Sequence, residues 1–241
     1  MMERSRAQGA RIGWMALFAV TSIQLASIDA SAQTADAKKT LPKFEGREIT
    51  LIPAEVDENG FAKGPASVCL EAPPRRQCYR APEDYGVDLE VSVIQITKGK
   101  PAVFFSANAR GLGGFSTHFA LLRPGFGNEL SDLLGADTSV SDQSWYTWWN
   151  MSAISDAPIF VTADFIWGPS DGRFTDHRYT ISAYVWVYSS ITRFWEYHLM
   201  DRYMTADAYS LSGDILATER LEILARLARI KAANGLPTQP N

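Results

Sequence analysis

The chain has 241 residues, 46% hydrophobic, 12% aromatic and 21% charged, the composition of a folded globular protein and not of a disordered tail. With 2 Cys and 12 Pro it is neither a disulfide-dense miniprotein nor a collagen-like fibre. Lys+Arg 23 against Asp+Glu 27 leaves a net charge of −4, so no global positive field recruits nucleic acid.

The N-terminus reads as a secretory signal over residues 1–32. Arg4, Arg6 and Arg11 form a positive n-region, residues 12–25 are mostly apolar, and Ala30-Ser31-Ala32 supplies the small residues of a cleavage site. The expectation is an exported protein, periplasmic or secreted, cleaved after Ala32. The alternative, an uncleaved anchor, is disfavoured because the stretch falls short of the ~20 apolar residues that a span requires. Residues 33–45 are polar and patternless and read as a flexible leader. Residues 46–236 are expected to form a single β-rich domain, with no transmembrane helix after the signal.

Cys69 and Cys78 are the only cysteines. An even pair this close, in an exported chain, predicts a disulfide, and Pro73-Pro74 between them suits a hairpin-like reversal. The chain-entropy contribution of so short a loop is about 2.5–3 kcal/mol. No Cys-x-x-Cys spacing points to redox chemistry, and further ligands for zinc are lacking.

Period 2 then dominates. Residues 87–96 alternate as a half-buried strand. Residues 102–107 and 115–122 flank Arg110-Gly-Leu-Gly-Gly114 and read as a hairpin. Four more strands, rich in Trp, Tyr, Ile and Val, are expected at 144–150, 158–167, 178–188 and 193–205, with a turn cluster at 168–172. The period changes once. Residues at about 218–234 place Leu221, Leu224, Leu227, Ala228 and Ile230 at helical spacing, and Gly235 and Pro237 stop the helix. The predicted fold is mainly β: a single antiparallel β-sandwich or open-barrel domain with one C-terminal α-helix, its Leu221/Leu224/Ala228 stripe docked on the sheet.

Several constellations invite a functional reading. Gly111-Leu-Gly-Gly114 is followed by a strand instead of a helix, so it reads as turn glycines and not as a phosphate loop. Ser116 and His118 share a strand face, but no elbow motif exposes the serine. Asp164 is a carboxylate inside an otherwise apolar strand, and burying it demands a partner. Arg178 on the returning strand is the expected one, or His177 in the other register. Asp164, Asp176 and His177 are the candidates for acid–base or metal chemistry, although neither a metal-binding motif nor a cofactor motif is present. Trp145, Trp148 and Trp149 lie in the densest aromatic run, where an exposed face would stack on sugar rings, and a buried one would be core. The reading that results is a non-catalytic binding or interaction module, with carbohydrate or protein as ligand. The alternatives are a cell-envelope or extracellular hydrolase using Asp164, Asp176 and His177, and an outer-membrane β-barrel.

Overall fold

The computed structural model describes residues 41–111, 114–125, 127–135, 138–168, 172, 175–210 and 214–234. The signal segment, most of the leader, the tip of the Gly111–Gly114 loop and most of the 168–172 turn lie outside them.

The described chain is mainly β, in three antiparallel sheets followed by one helix. The first sheet has the order β1 (Lys43–Phe44), β2 (Arg47–Ile52), β3 (Ser67–Ala72), β4 (Arg75–Arg80). The second runs β5 (Val87–Thr97), β6 (Lys100–Gly111), β7 (Gly114–Pro124), β8 (Leu130–Asp132), and β9 (Ser139–Ser141) also pairs with β7. The third runs β10 (Trp145–Trp149), β11 (Ile159–Phe165), β12 (Tyr179–Tyr188), β13 (Trp195–Met204). Helix α1 covers Ile215–Asn234. Among the described residues no helix is long and apolar enough to cross a membrane.

The sheets stack as layers, and the period of a strand explains how. On β6, Val103, Phe105 and Ala107 meet Val68 and Leu70 of the first sheet. Ala102 and Phe104, pointing the opposite way, meet Phe160, Tyr184 and Trp186 of the third. A strand covered on both faces must be apolar on both, which is why Ala-Val-Phe-Phe at 102–105 runs without a polar residue. The third sheet repeats the device: Ile159, Val161, Ala163 and Phe165 turn from the second sheet towards the helix and pack with Ile215, Leu216, Ile223 and Leu227. The order of layers is therefore sheet, sheet, sheet, helix. The described strands do not close into a barrel, and their stacked sheets are consistent with the predicted sandwich.

Cys69 and Cys78 face each other across the β3–β4 ladder and are disulfide-bonded, and Pro73-Pro74 makes the turn between the two strands. Two expectations need correction. The leader stops short of Glu45, because Phe44 on β1 is fully buried against the second sheet. The helix begins three residues early and is rotated from its expected phase: of the expected stripe Leu227 is buried and Leu224 half-buried, but Leu221 is 80% exposed and Ala228 is exposed, and Ile215, Leu216 and Ile223 are buried instead. Polar contacts fix that rotation. Asp214 accepts a hydrogen bond from the Ala217 amide (3.0 Å) as an N-cap, Glu219 accepts from the Tyr203 and Tyr209 hydroxyls, and Arg226 clasps Asp201 with two bonds of 2.6 and 3.1 Å.

Candidate binding cleft

The expected partners of Asp164 are elsewhere. Its cross-strand neighbour is Thr180, not Arg178 or His177. Asp164 Oδ1 instead accepts from the Ser141 amide (2.7 Å), the Ser141 hydroxyl (2.8 Å) and the Ser144 hydroxyl (3.0 Å), tying the end of β9 to β11. Arg178 turns outward and donates to the Ala206 carbonyl (2.7 Å). The buried His177 lies on the helix side of the sheet, its ring 3.9 Å from that of Phe165 and its Nε2 3.0 Å from the Gly172 carbonyl. Asp176 is exposed. Strand alternation thus sends Asp164 and His177 to opposite faces, and the three residues do not assemble into one site. Among the described residues no group of three or more His, Cys, Asp or Glu is placed to hold a metal.

His118 is fully buried, with Nε2 2.9 Å from the Tyr79 hydroxyl and Nδ1 3.3 Å from the Ser139 hydroxyl. Burial pulls its pKa down to about 4, so it is neutral at pH 7, and both ring nitrogens are engaged away from Ser116. The tryptophans of β10 divide as their alternation requires. Trp148 packs on Phe104 and Phe160 between the second and third sheets. Trp149 packs on the helix side beneath the Arg220 guanidinium. Trp145 is partly exposed and, with Trp149, Asp214 and Arg220, lines a hollow of about 360 Å³.

A larger cleft, of about 550 Å³, opens where the β5–β6 turn, the end of β7, β8 and the β12–β13 hairpin converge. Its walls carry Lys100, Arg123, Trp186, Phe194, Trp195 and Glu196, and Asp132 lies among its lining residues. The indoles of Trp186 and Trp195 stack at 6.2 Å, and Phe194 is 57% exposed. β8 reaches the third sheet here, where the Tyr197 amide donates to the Leu133 carbonyl (2.8 Å).

Asp132 Oδ1 accepts from the amides of Leu121 (3.0 Å) and Leu134 (2.9 Å), and Oδ2 is sealed from solvent without a partner. Burial pushes this carboxyl up to about 7, against the pull of those amide bonds. Burial also pushes Glu196 up, but hydrogen bonds from His198, Ser189 and Thr192 outweigh it and hold that carboxylate below its usual range. Glu196 is thereby engaged, with His198 Nε2 at 2.8 Å and the Thr192 hydroxyl at 3.1 Å. Lys100 and Arg123 have no ion-pair partner among the described residues. Ring surface beside unpaired cations suits a ligand that is apolar at one end and anionic at the other.

None of the cleft residues stood out in the sequence. The available signal was local: Ser189-Ser-Ile-Thr-Arg-Phe194 sets an isoleucine and a phenylalanine inside a polar turn, where solvent exposure of apolar surface needs a reason. Set against known proteins, the chain matches no family model, no curated protein and no solved structure.

Proposed function

We propose that the protein is an exported, non-catalytic binding module that takes amphipathic anions in the cleft between the β5–β6 turn and the β12–β13 hairpin. The observation that carries this reading is the pairing of ring surface, on the exposed Phe194 and the half-buried Trp195, with the cations Lys100 and Arg123, which have no ion-pair partner among the described residues, in one cleft. The non-catalytic part has support from the hydrogen bonds. Asp164 is held by Ser141 and Ser144, Glu196 by His198 and Thr192, and the one unpaired carboxyl oxygen of Asp132 is sealed beneath the surface. A group that works as acid or base must reach its substrate.

The test is a fluorescence titration with anilinonaphthalene sulfonate, a rigid aromatic anion of the expected chemistry. Saturable binding at one site is expected, weakened about tenfold or more by Phe194→Ala and by Arg123→Gln, since one charge or ring contact is commonly worth ~1.4 kcal/mol or more in such a cleft. Near-ultraviolet circular dichroism of each variant verifies that its fold is intact. Binding that neither substitution alters would refute the assignment.

A further inference from the structure

The β12–β13 hairpin carries apolar surface at its very tip. Ile191 is 92% exposed at the crown, with Tyr188 and Phe194 exposed on either side. A lone exposed hydrophobic residue is ordinary, but this group is held outward by a tight turn. The Ser189 amide donates to the Phe194 carbonyl (2.9 Å), the Arg193 amide to the Ser189 carbonyl (2.9 Å), and the Thr192 amide to the Ser189 hydroxyl (3.2 Å). The crown is thus fixed in a conformation that keeps Ile191 in water.

Cations lie on the same side of the molecule. Arg193 is in the turn itself, Lys100 and Arg123 line the adjoining cleft, and Lys98 shares the β5–β6 turn with Lys100. None of these four has an ion-pair partner among the described residues. Two acids line the same cleft, Glu196, a carboxylate bonded by His198 and Thr192, and Asp132, whose Oδ2 is sealed, and the four cations outnumber them. An aliphatic crown, aromatic flanks and a rim of unneutralised Lys and Arg match the boundary between anionic headgroups and acyl chains. A second copy of the chain is a poor occupant, because two such rims would face each other with like charge.

We propose that this hairpin tip docks the protein on an anionic lipid surface, with Ile191 and Phe194 entering the headgroup–acyl boundary and Arg193, Lys100 and Arg123 meeting lipid phosphates. The inference rests on the binding-module reading and names the partner of that cleft. The attraction is local, since the chain as a whole is net negative and the rim's field decays within about 8–10 Å at ordinary salt.

The experiment is sedimentation of the full chain with phosphatidylcholine vesicles, with and without about a third phosphatidylglycerol. Binding to the anionic vesicles is expected to be at least about tenfold tighter than to the neutral ones, and to weaken in ~0.5 M salt. Ile191→Asp is expected to lower it about tenfold or more, and Lys100→Gln with Arg193→Gln to remove most of its salt dependence. Ile191 makes too few contacts for its replacement to unfold the domain, and thermal unfolding verifies that. Four results overturn the inference: no binding, equal binding to neutral vesicles, unchanged binding by Ile191→Asp (attachment through the N-terminal apolar stretch would look like this), or a dimer in sedimentation velocity that Ile191→Asp dissolves. If vesicles fail while anilinonaphthalene sulfonate still binds, the lipid partner falls and the cleft stands; if both fail, both fall.

Discussion

A carboxyl whose second oxygen finds no partner in the interior is easier to keep neutral than charged, and Asp132 is pushed up to about 7 accordingly. The folded state therefore holds this proton over a range in which the unfolded chain has lost it. The stabilisation is complete below about pH 4 and disappears as pH rises through about 7. His118 has the opposite sign: pulled down to about 4 by burial, it disfavours the fold as pH falls from about 6.5 to 4. Between those limits the two slopes offset, so denaturant unfolding of the native chain is expected to be nearly level there and to decline from pH 6.5 to 8. Asp132→Asn should abolish the decline, gaining on the order of 2–4 kcal/mol over the native chain by pH 8 at ~1.4 kcal/mol per pKa unit, and should uncover the rise due to His118 between pH 4 and 6.5. Identical pH profiles for the two proteins would show that Asp132 is ionised at no cost. Neither property was legible in the chain. Asp132 sits in Glu-Leu-Ser-Asp-Leu-Leu, and nothing in that string shows that one oxygen is sealed.

At the scale of elements, Asp164 illustrates how a correct face and a wrong partner can coexist. Its strand, its face and its need for a partner followed from alternation; the partner itself depended on where β9 comes to rest. With three donors converging on one oxygen, Asp164→Ala should cost about 2–4 kcal/mol by leaving the Ser141 amide unpaired. Arg178→Ala should cost less than about 1 kcal/mol, because its bonds run to an exposed carbonyl. An ion pair between the two would make these costs similar, and equilibrium unfolding of both variants decides. The helix follows the same logic. Its existence and end were legible from spacing, but the face it buries was legible only in part, through Leu224 and Leu227. Leu221, Leu224 and Leu227 are equally apolar in sequence, and Glu219, Arg226 and Lys231 select the rotation by reaching partners on the third sheet and on the 153–154 turn. Leu227→Ala is expected to cost about 2–5 kcal/mol, cavity included, and Leu221→Ala to stay within about 0.5 kcal/mol. The reverse order of costs would return the helix to its expected phase.

Across the whole molecule, three sheets and a helix share three cores, and each inner sheet serves two of them. Both faces of β6, β11 and β12 are used up in packing, which leaves the sheet ends as open surface for the proposed cleft. The lipid-docking crown and the cleft both lie at one such end, made from β5–β6, β7–β8 and β12–β13. Two of those connections come from the second sheet and one from the third, so the site exists only when the layers stack. Its cations and rings are spread from Lys100 to Trp195 in the chain, too far apart for any motif to announce them.

What the sequence determined by itself is everything that depends on neighbours in the chain: the mainly β class, seven of the strands from residue 87 onward, the cross-linked pair Cys69–Cys78, and the presence of a terminal helix. Each follows from local periodicity or from a short loop, where residue spacing and three-dimensional spacing are nearly the same thing. What only the tertiary structure decided is which side chains meet across layers: Ser141 and Ser144 on Asp164, the Tyr79–His118–Ser139 contact, the unpaired oxygen of Asp132, and the ring-and-cation cleft at the sheet ends. Those depend on strand register and on the stacking of one sheet on the next. A shift of one residue in either would send every one of these groups to another face.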